Sequence, residues 1–343
     1  MHSVRRFAKQ LSTGCRIFQL RCAALCLLFL ASLTAHAHTS TAIQTAISTP
    51  ISTPISTQTT ISATVARATN AVPAVLRLPL PRSEFDISHQ YYVGLLRLAL
   101  QKAAKGRDIP KLITTRIIQQ RHSISVLTDG DQLDVFWVGT DLAKEQALRA
   151  IRIPLERGLM GFRKFTLVRS VKDKFAEVRT LADLQKYKAC LGRDWPDVKI
   201  LQNSGLPVAV FEHYEDLFKQ VNAGACDYFP RGLHEGKAEL SLRAAHYPNL
   251  VRYQELMLHY PFAVYFFTSK ENETLAKWIE DGLEQLISSG ELDTYMQQHP
   301  LTRHVFPLQE YQANVWINLP NPLLNATTDF NNRRYWIVPA DFD

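Results

Sequence analysis

The 343-residue chain is short of glycine, with 14, and of cysteine, with 5, three of which (Cys15, Cys22 and Cys26) lie within the first 26 residues. That leaves Cys190 and Cys226 as a single potential disulfide or as two free thiols, with both readings open. The body of the chain has no GxSxG, HExxH, Walker loop, GxGxxG or CxxC. The common hydrolase, zinc-protease, nucleotide-binding and dithiol chemistries therefore lack their signatures. The 11 histidines are scattered without metal-ligand spacing, so neither a metal site nor a cofactor is expected. Beyond the opening segment no uncharged apolar run approaches membrane-spanning length. Hydrophobic residues make up 46% and charged ones 21%, which excludes wholesale disorder and a collagen-like fibre.

The net charge of +7 would suggest nucleic acid until its location is considered. The first 37 residues carry Arg5, Arg6, Lys9, Arg16 and Arg21 and no acidic side chain. An apolar run from Cys22 to Leu33 follows, then Ala35-His36-Ala37, whose small residues occupy the positions a signal peptidase reads. Residues 1–37 thus read as a cleavable signal peptide, and cleavage leaves 306 residues with 34 basic and 32 acidic side chains. Such a balance removes the basic footprint that nucleic acid would require. A soluble protein exported to the periplasm is expected. Residues 38–72 are rich in Ser, Thr and Pro, with the tandem ISTP, ISTP, ISTQ from Ile47 to Gln58, and read as a disordered spacer.

The remainder alternates strand and helix patterns, which argues for an α/β architecture. Strands are expected at Val75–Leu80, Ile109–Ile117, Asp134–Gly139, Ala189–Leu191, Val208–Phe211 and Asp227–Phe229. Helices are expected from Ser88, with Tyr92, Leu95, Leu96 and Ala99 on one face, before Gly130, over Trp195–Asn203, over Tyr214–Ala223, and around Leu275–Ile287 with Gly290 as the stop. Thr180 with Asp183 forms a capping pattern, and Pro196 fits a first helical turn. The pattern restarts after Lys164, which suggests two lobes.

Four stretches carry a resemblance: LDVFWVGTDLAKEQALRAIRIPLERGLMGFR (Leu133–Arg163), GRDWPDVKIL (Gly192–Leu201), ACDYFPRG (Ala225–Gly232) and HYPFAVYFFTSKENETLAKWIEDGLEQLISSGELDTYM (His259–Met296). In order and spacing the chain resembles the periplasmic solute-binding proteins of the polar amino-acid type, extracellular solute-binding family 3, in a poorly characterised branch. The resemblance implies a type II two-lobed fold, each lobe a mixed sheet flanked by helices, joined by two crossing strands. Lobe 1 would take residues 73–165, lobe 2 residues 166–257, and residues 258–343 would return to lobe 1 and end in a C-terminal tail. A small polar solute, anionic or amino-acid-like, would bind in the interlobe cleft. A monomer delivering to an inner-membrane ABC permease, or to a sensor, would follow.

Two departures bear on the ligand. Where amino-acid binders of this family carry a carboxylate-gripping arginine, this chain has Lys144, which supplies charge without a planar fork. Where an acidic residue usually meets the ligand ammonium, this chain has Arg231-Gly232. The expectation is that Arg231 and Lys144 grip an anionic group from opposite lobes. Trp137 and Thr140, at the end of a buried strand, are ligand contacts or core. Arg163 is a ligand contact or an interlobe strut, Trp195 a stacking surface or a core cap, and Tyr228 faces the cleft or the interior. No catalytic residue is assigned and the chain is read as a non-enzyme. The rival reading is an exported enzyme like the cyclohexadienyl dehydratases, which share the scaffold, with Glu84, Glu212 or Glu235 as general acid. A structural envelope protein using the spacer as a stalk is a third class.

Overall fold

The computed structural model describes residues 72–116, 120–130, 132–312 and 315–343, so the expected signal peptide and all but the last residue of the spacer lie outside the described residues. The body opens with strand β1 (Val75–Pro79), helix α1 (Ile87–Lys102), β2 (Lys111–Thr115), α2 (Gln120–Asp129), β3 (Phe136–Gly139), α3 (Leu142–Ala147) and β4 (Arg149–Ile151). β1 and β2 pair in parallel. Then come β5 (Phe162–Val168), α4 (Lys172–Phe175), α5 (Leu181–Leu184), β6 (Ala189–Gly192), α6 (Pro196–Asn203), β7 (Val208–Phe211), α7 (Tyr214–Asn222), β8 (Phe229–Gly232) and α8 (Gly236–Arg243). The chain closes with β9 (Leu250–His259), β10 (Val264–Thr268), α9 (Glu273–Ser288), α10 (Glu291–Gln298) and β11 (Val315–Asn318).

Among the described residues the strands form four small sheets, ordered β1-β2, β3-β10-β4, β11-β9-β5-β8 and β6-β7. β5 and β9 run antiparallel from Phe162↔His259 to Val168↔Leu250, with a register shift between Arg163 and Phe165. Beyond one end of this pair the chain feeds β10, which sits between β3 and β4; beyond the other it enters the α4–α8 region.

Local chemistry explains most elements. The face of α1 bearing Tyr92, Leu95, Leu96 and Ala99 is buried. Against it packs α9, and Gly282 makes that approach possible, because a Cβ there would overlap the Ala99 carbonyl. Thr180 and Asp183 form a reciprocal capping box on α5, and Pro196 occupies the first turn of α6, where no N–H is needed. β8 starts at Phe229, two residues later than the apolar pattern predicts, because Asp227 accepts from Lys188 N at 2.7 Å and ties the chain down before the strand. Pro230 is accommodated because β8 is an edge strand paired only with β5 in its sheet. Strands β4 and β11 and helices α3, α4, α8 and α10 fall outside the elements expected from the sequence; their apolar spacing is too short or too mixed to register alone.

Cys190 and Cys226 form a disulfide with Cα atoms 5.6 Å apart. The bridge follows from topology: Ala189 forms a parallel bridge to Tyr228, and Cys190 N donates to Tyr228 O at 2.8 Å, which sets the two cysteines side by side.

Candidate functional site

A cavity of about 360 Å³ lies where the loop after β1, the end of β3, the start of β5, the β6–α6 turn, the N-terminus of α7 and the end of β8 converge. Six carboxylate-bearing residues and four arginines line it, with Trp137, Trp195, Tyr92 and Phe262 among its aromatic walls. Every lining arginine is ion-paired: Arg82 with Asp86, Arg163 with Asp197, Arg193 with Glu212, and Arg231 with Glu235.

Arg163 stands at the start of β5. Its Nη2 lies 2.6 Å from Asp197 Oδ1, its Nη1 4.0 Å from Glu235 Oε2, and its guanidinium sits 5.0 Å from the centre of the Phe262 ring. Asp197 belongs to the first turn of α6 and also accepts the Tyr260 hydroxyl at 2.5 Å. Arg163 Nε is buried with no hydrogen-bond partner among the described residues.

Arg231 is almost fully buried and gives Nε and Nη2 to carboxylates of its own region, Nε to Glu239 Oε2 at 2.9 Å and Nη2 to Glu239 Oε1 at 2.7 Å and to Glu235 Oε1 at 2.5 Å. Tyr214 donates to the same Glu239. Burial pushes both glutamates up in pKa. At Glu239 the fork of Arg231 and the Tyr214 hydroxyl outweigh that and hold it low, whereas Glu235, facing Glu239, stays raised.

The opposite wall is the loop carrying Arg82. Its Nη2 lies 2.7 Å from Asp86 Oδ1 and donates to Ser88 Oγ at 2.6 Å, while Ser88 donates to Asp86 at 2.6 Å. Burial raises the Asp86 carboxyl, but the Arg82 guanidinium and Ser88 more than offset this and hold it well below the usual carboxylate range. The Arg82 guanidinium also rests 4.2 Å above the Tyr214 ring, so this loop meets α7 at the cavity mouth. Behind Tyr92, the buried Glu156 accepts the Tyr92 hydroxyl. Burial, reinforced by Glu235, raises the Glu156 carboxyl to about 8, and the Tyr92 bond and Arg163 only partly oppose it.

The sequence-predicted residues divide. Trp137, Arg163, Trp195 and Arg231 all line the cavity. Trp137 is wedged between His89 and Tyr92, each with ring centres 5.4 Å away. Trp195 caps Gly192, whose missing side chain makes room for the indole: a Cβ would lie 2.7 Å from it. Thr140, Lys144 and Tyr228 are outside the lining. Thr140 is buried and donates to Glu145 at 2.8 Å. The Tyr228 ring packs 4.6 Å from Phe165 and 5.7 Å from Phe175 in the core. Lys144 is 5% exposed and folds back on Asp141, which also caps its helix.

The structure does not bring Arg231 and Lys144, the two expected clamp residues, together at the cavity. Lys144 lies outside the lining and pairs with Asp141, and Arg231 lines the cavity with its Nε and Nη2 already bound to two buried carboxylates. Sequence reading missed Arg82, Asp86, Tyr92, Asp197, Tyr214 and Glu239. The one available signal was the i,i+4 Arg82–Asp86 pair followed by a helix; the others meet across elements far apart in sequence. Of the carboxylates considered as general acids, Glu212 and Glu235 line the cavity, whereas Glu84 is exposed and does not.

No protein-family model matches the chain, and no curated protein matches it in sequence. Solved structures do resemble it. The VFT2 domain of BvgS from Bordetella pertussis, as a double mutant, is 18% identical with a TM-score of 0.50, covering 66% of this chain and 93% of that one. An ancestral arginine-binding protein bound to arginine is 14% identical with a TM-score of 0.48, covering 66% of this chain and 98% of that one. An ancestral amino acid-binding protein, AncCDT-1, a precursor of cyclohexadienyl dehydratase, is 16% identical with a TM-score of 0.48, covering 66% of this chain and 95% of that one. The chain has the two-lobed fold of the periplasmic binding proteins, a mixed α/β architecture whose sheets are linked by the β5–β9 pair.

Proposed function

We propose that the chain is an exported, monomeric solute-binding protein of the periplasm that closes two lobes, residues 73–165 with 258–343 and residues 166–257, on a small polar solute. One observation carries this reading: paired charges of both signs and aromatic walls converge on a single cavity of about 360 Å³ between the two halves of the β5–β9 connection. That size suits a free amino acid or a compound of similar bulk. Because each lining arginine has a carboxylate partner, the solute is a zwitterion of amino-acid type rather than a simple anion. Arg163 Nε offers an unused donor to its carboxylate, Trp137 and Trp195 offer apolar faces, and Asp194, which makes no ion pair among the described residues, suits its ammonium. Delivery to an inner-membrane ABC permease is the role such a protein would serve.

A thermal-shift screen of amino acids, dipeptides, carboxylates and phosphorylated metabolites tests the reading, since a ligand selective for the native state raises the melting temperature. An amino-acid-type zwitterion is expected as the strongest hit. Stabilisation only by phosphorylated or dicarboxylic compounds would overturn the zwitterion assignment. Turnover of prephenate or arogenate to an aromatic product would overturn the binding role.

A further inference from the structure

Side chains alternate along a strand, so Arg163 of β5, which lines the cavity, leaves its neighbours Phe162 and Lys164 on the reverse face. That face carries an aromatic cluster. The Phe342 ring lies 4.7 Å from Phe162 and 5.3 Å from Trp316 of β11, and Phe162 is itself stacked 4.5 Å from His259 of β9. Tyr311 stands beside them, 6.4 Å from Phe342, with Lys164 Nζ 5.4 Å from its ring centre. Phe162 and Phe342 are both almost fully buried, at the point where β5 and β9 cross between the lobes.

The cluster is fixed on both sides of that crossing. Towards lobe 1, Ile337 N donates to Arg157 O at 2.7 Å, and Trp336 covers Gly158, where a Cβ would lie 2.5 Å from the indole. β11 pairs in parallel with the end of β9, Asn318 opposite His259, and Leu319 N donates to His259 O at 2.8 Å. Towards lobe 2, Arg252 is hydrogen-bonded to the Tyr311 side chain and also donates to Leu233 O. A rotation that parts the lobes at the mouth, where Arg82 rests on Tyr214, therefore shifts Tyr311, tied to lobe 2, against Phe342, held on lobe 1. Contacts made in one arrangement and lost in another bias the equilibrium towards the first.

We propose that Tyr311 and Phe342 form a strap on the reverse face of the crossing strands that favours the closed arrangement of the lobes. Closure is then set from behind the hinge as well as by the solute in front of it. A cleft biased in this way binds its solute more tightly, because the competent arrangement is populated beforehand. The inference rests on the two-lobed clamp proposed above.

Spin labels at Glu84→Cys on the mouth loop and Lys219→Cys on α7, both exposed positions, report lobe separation in the purified full chain by double electron–electron resonance. Phe342→Ala should raise the ratio of long to short distances roughly fivefold, the scale of one aromatic contact. Tyr311→Phe, which keeps the ring and loses the bond to Arg252, should raise it roughly two- to threefold. Phe342→Leu keeps an apolar seat on Phe162 and should lie nearer the wild type than Phe342→Ala. Arg82→Ala, which breaks a contact at the mouth, is the control for lobe motion. Longer distances in Arg82→Ala but not in Phe342→Ala or Tyr311→Phe would overturn the strap and leave the clamp standing. One short distance in every variant, Arg82→Ala included, would overturn both. Should Phe342→Ala fail to fold, Tyr311→Phe decides the outcome.

Discussion

Asp197 Oδ1 lies 2.6 Å from Arg163 Nη2 and simultaneously accepts the Tyr260 hydroxyl, so one carboxylate ties the start of β5, the first turn of α6 and the segment after β9 together. Both partners of the ion pair are almost fully buried. Removing one charge of such a pair leaves the other uncompensated, at a cost of about 3–5 kcal/mol. Asp197→Asn should destabilise the protein by that amount in urea unfolding. A loss below about 1 kcal/mol would mean that solvent or Glu235 already serves Arg163.

The Glu156 carboxyl is raised to about 8 by burial and Glu235, against an ordinary value of 4.5. An acid with a folded-state pKa above its unfolded one contributes stability that is complete below the unfolded value and declines as pH rises through the folded value. The window for Glu156 is therefore about pH 4.5 to 8. Glu156→Gln retains an acceptor for Tyr92 and cannot ionise. It should match the wild type near pH 4.5 and exceed it at pH 8.5 in denaturant midpoints. Parallel pH profiles for the two proteins would contradict the assignment.

Contact across the cavity mouth rests on Arg82 over Tyr214, 4.2 Å from the ring centre. Such a contact is worth about 0.5–1 kcal/mol where it is exposed, more where it is desolvated. Arg82→Ala should increase the radius of gyration of the unliganded protein in small-angle scattering. It should also weaken the affinity for the solute found by screening by about 3–10-fold. An unchanged scattering profile would show that the mouth is held by other contacts.

Lys144 pairs with Asp141 outside the cavity lining, whereas Arg231 is bound by Glu235 and Glu239. Lys144→Ala should leave solute affinity within about twofold. Arg231→Ala should cost about 3–5 kcal/mol in unfolding free energy, by stranding two buried carboxylates. Calorimetry and urea unfolding on the two variants separate these effects; a tenfold affinity loss in Lys144→Ala would restore the two-cation clamp.

The disulfide closes a sequence separation of 36 residues. Loop-closure entropy for that length gives about 3–4 kcal/mol. The Cys190→Ser, Cys226→Ser double variant should lose stability on that scale, and thiol counting on the denatured, unreduced protein should find neither cysteine free. Two reactive thiols would exclude the bridge.

What the sequence determined by itself is local or periodic. The buried stripe of α1, the Thr180–Asp183 box, Pro196 in the first turn of α6 and the strand of Val208–Phe211 all depend on neighbours within a turn or two, and hydrophobic spacing or capping chemistry suffices to read them. Which charges meet was decided only by the tertiary structure. Arg231 and Lys144 both read as free cations, because a sequence shows a side chain's charge but not the carboxylate across from it. Glu239 reaches Arg231 on β8 from helix α8, Asp197 reaches Arg163 from 34 positions along, and Tyr214 reaches Arg82 across the cavity mouth. Burial makes those pairings obligatory, since an arginine taken out of water must find its counter-charge wherever the chain's topology has placed one.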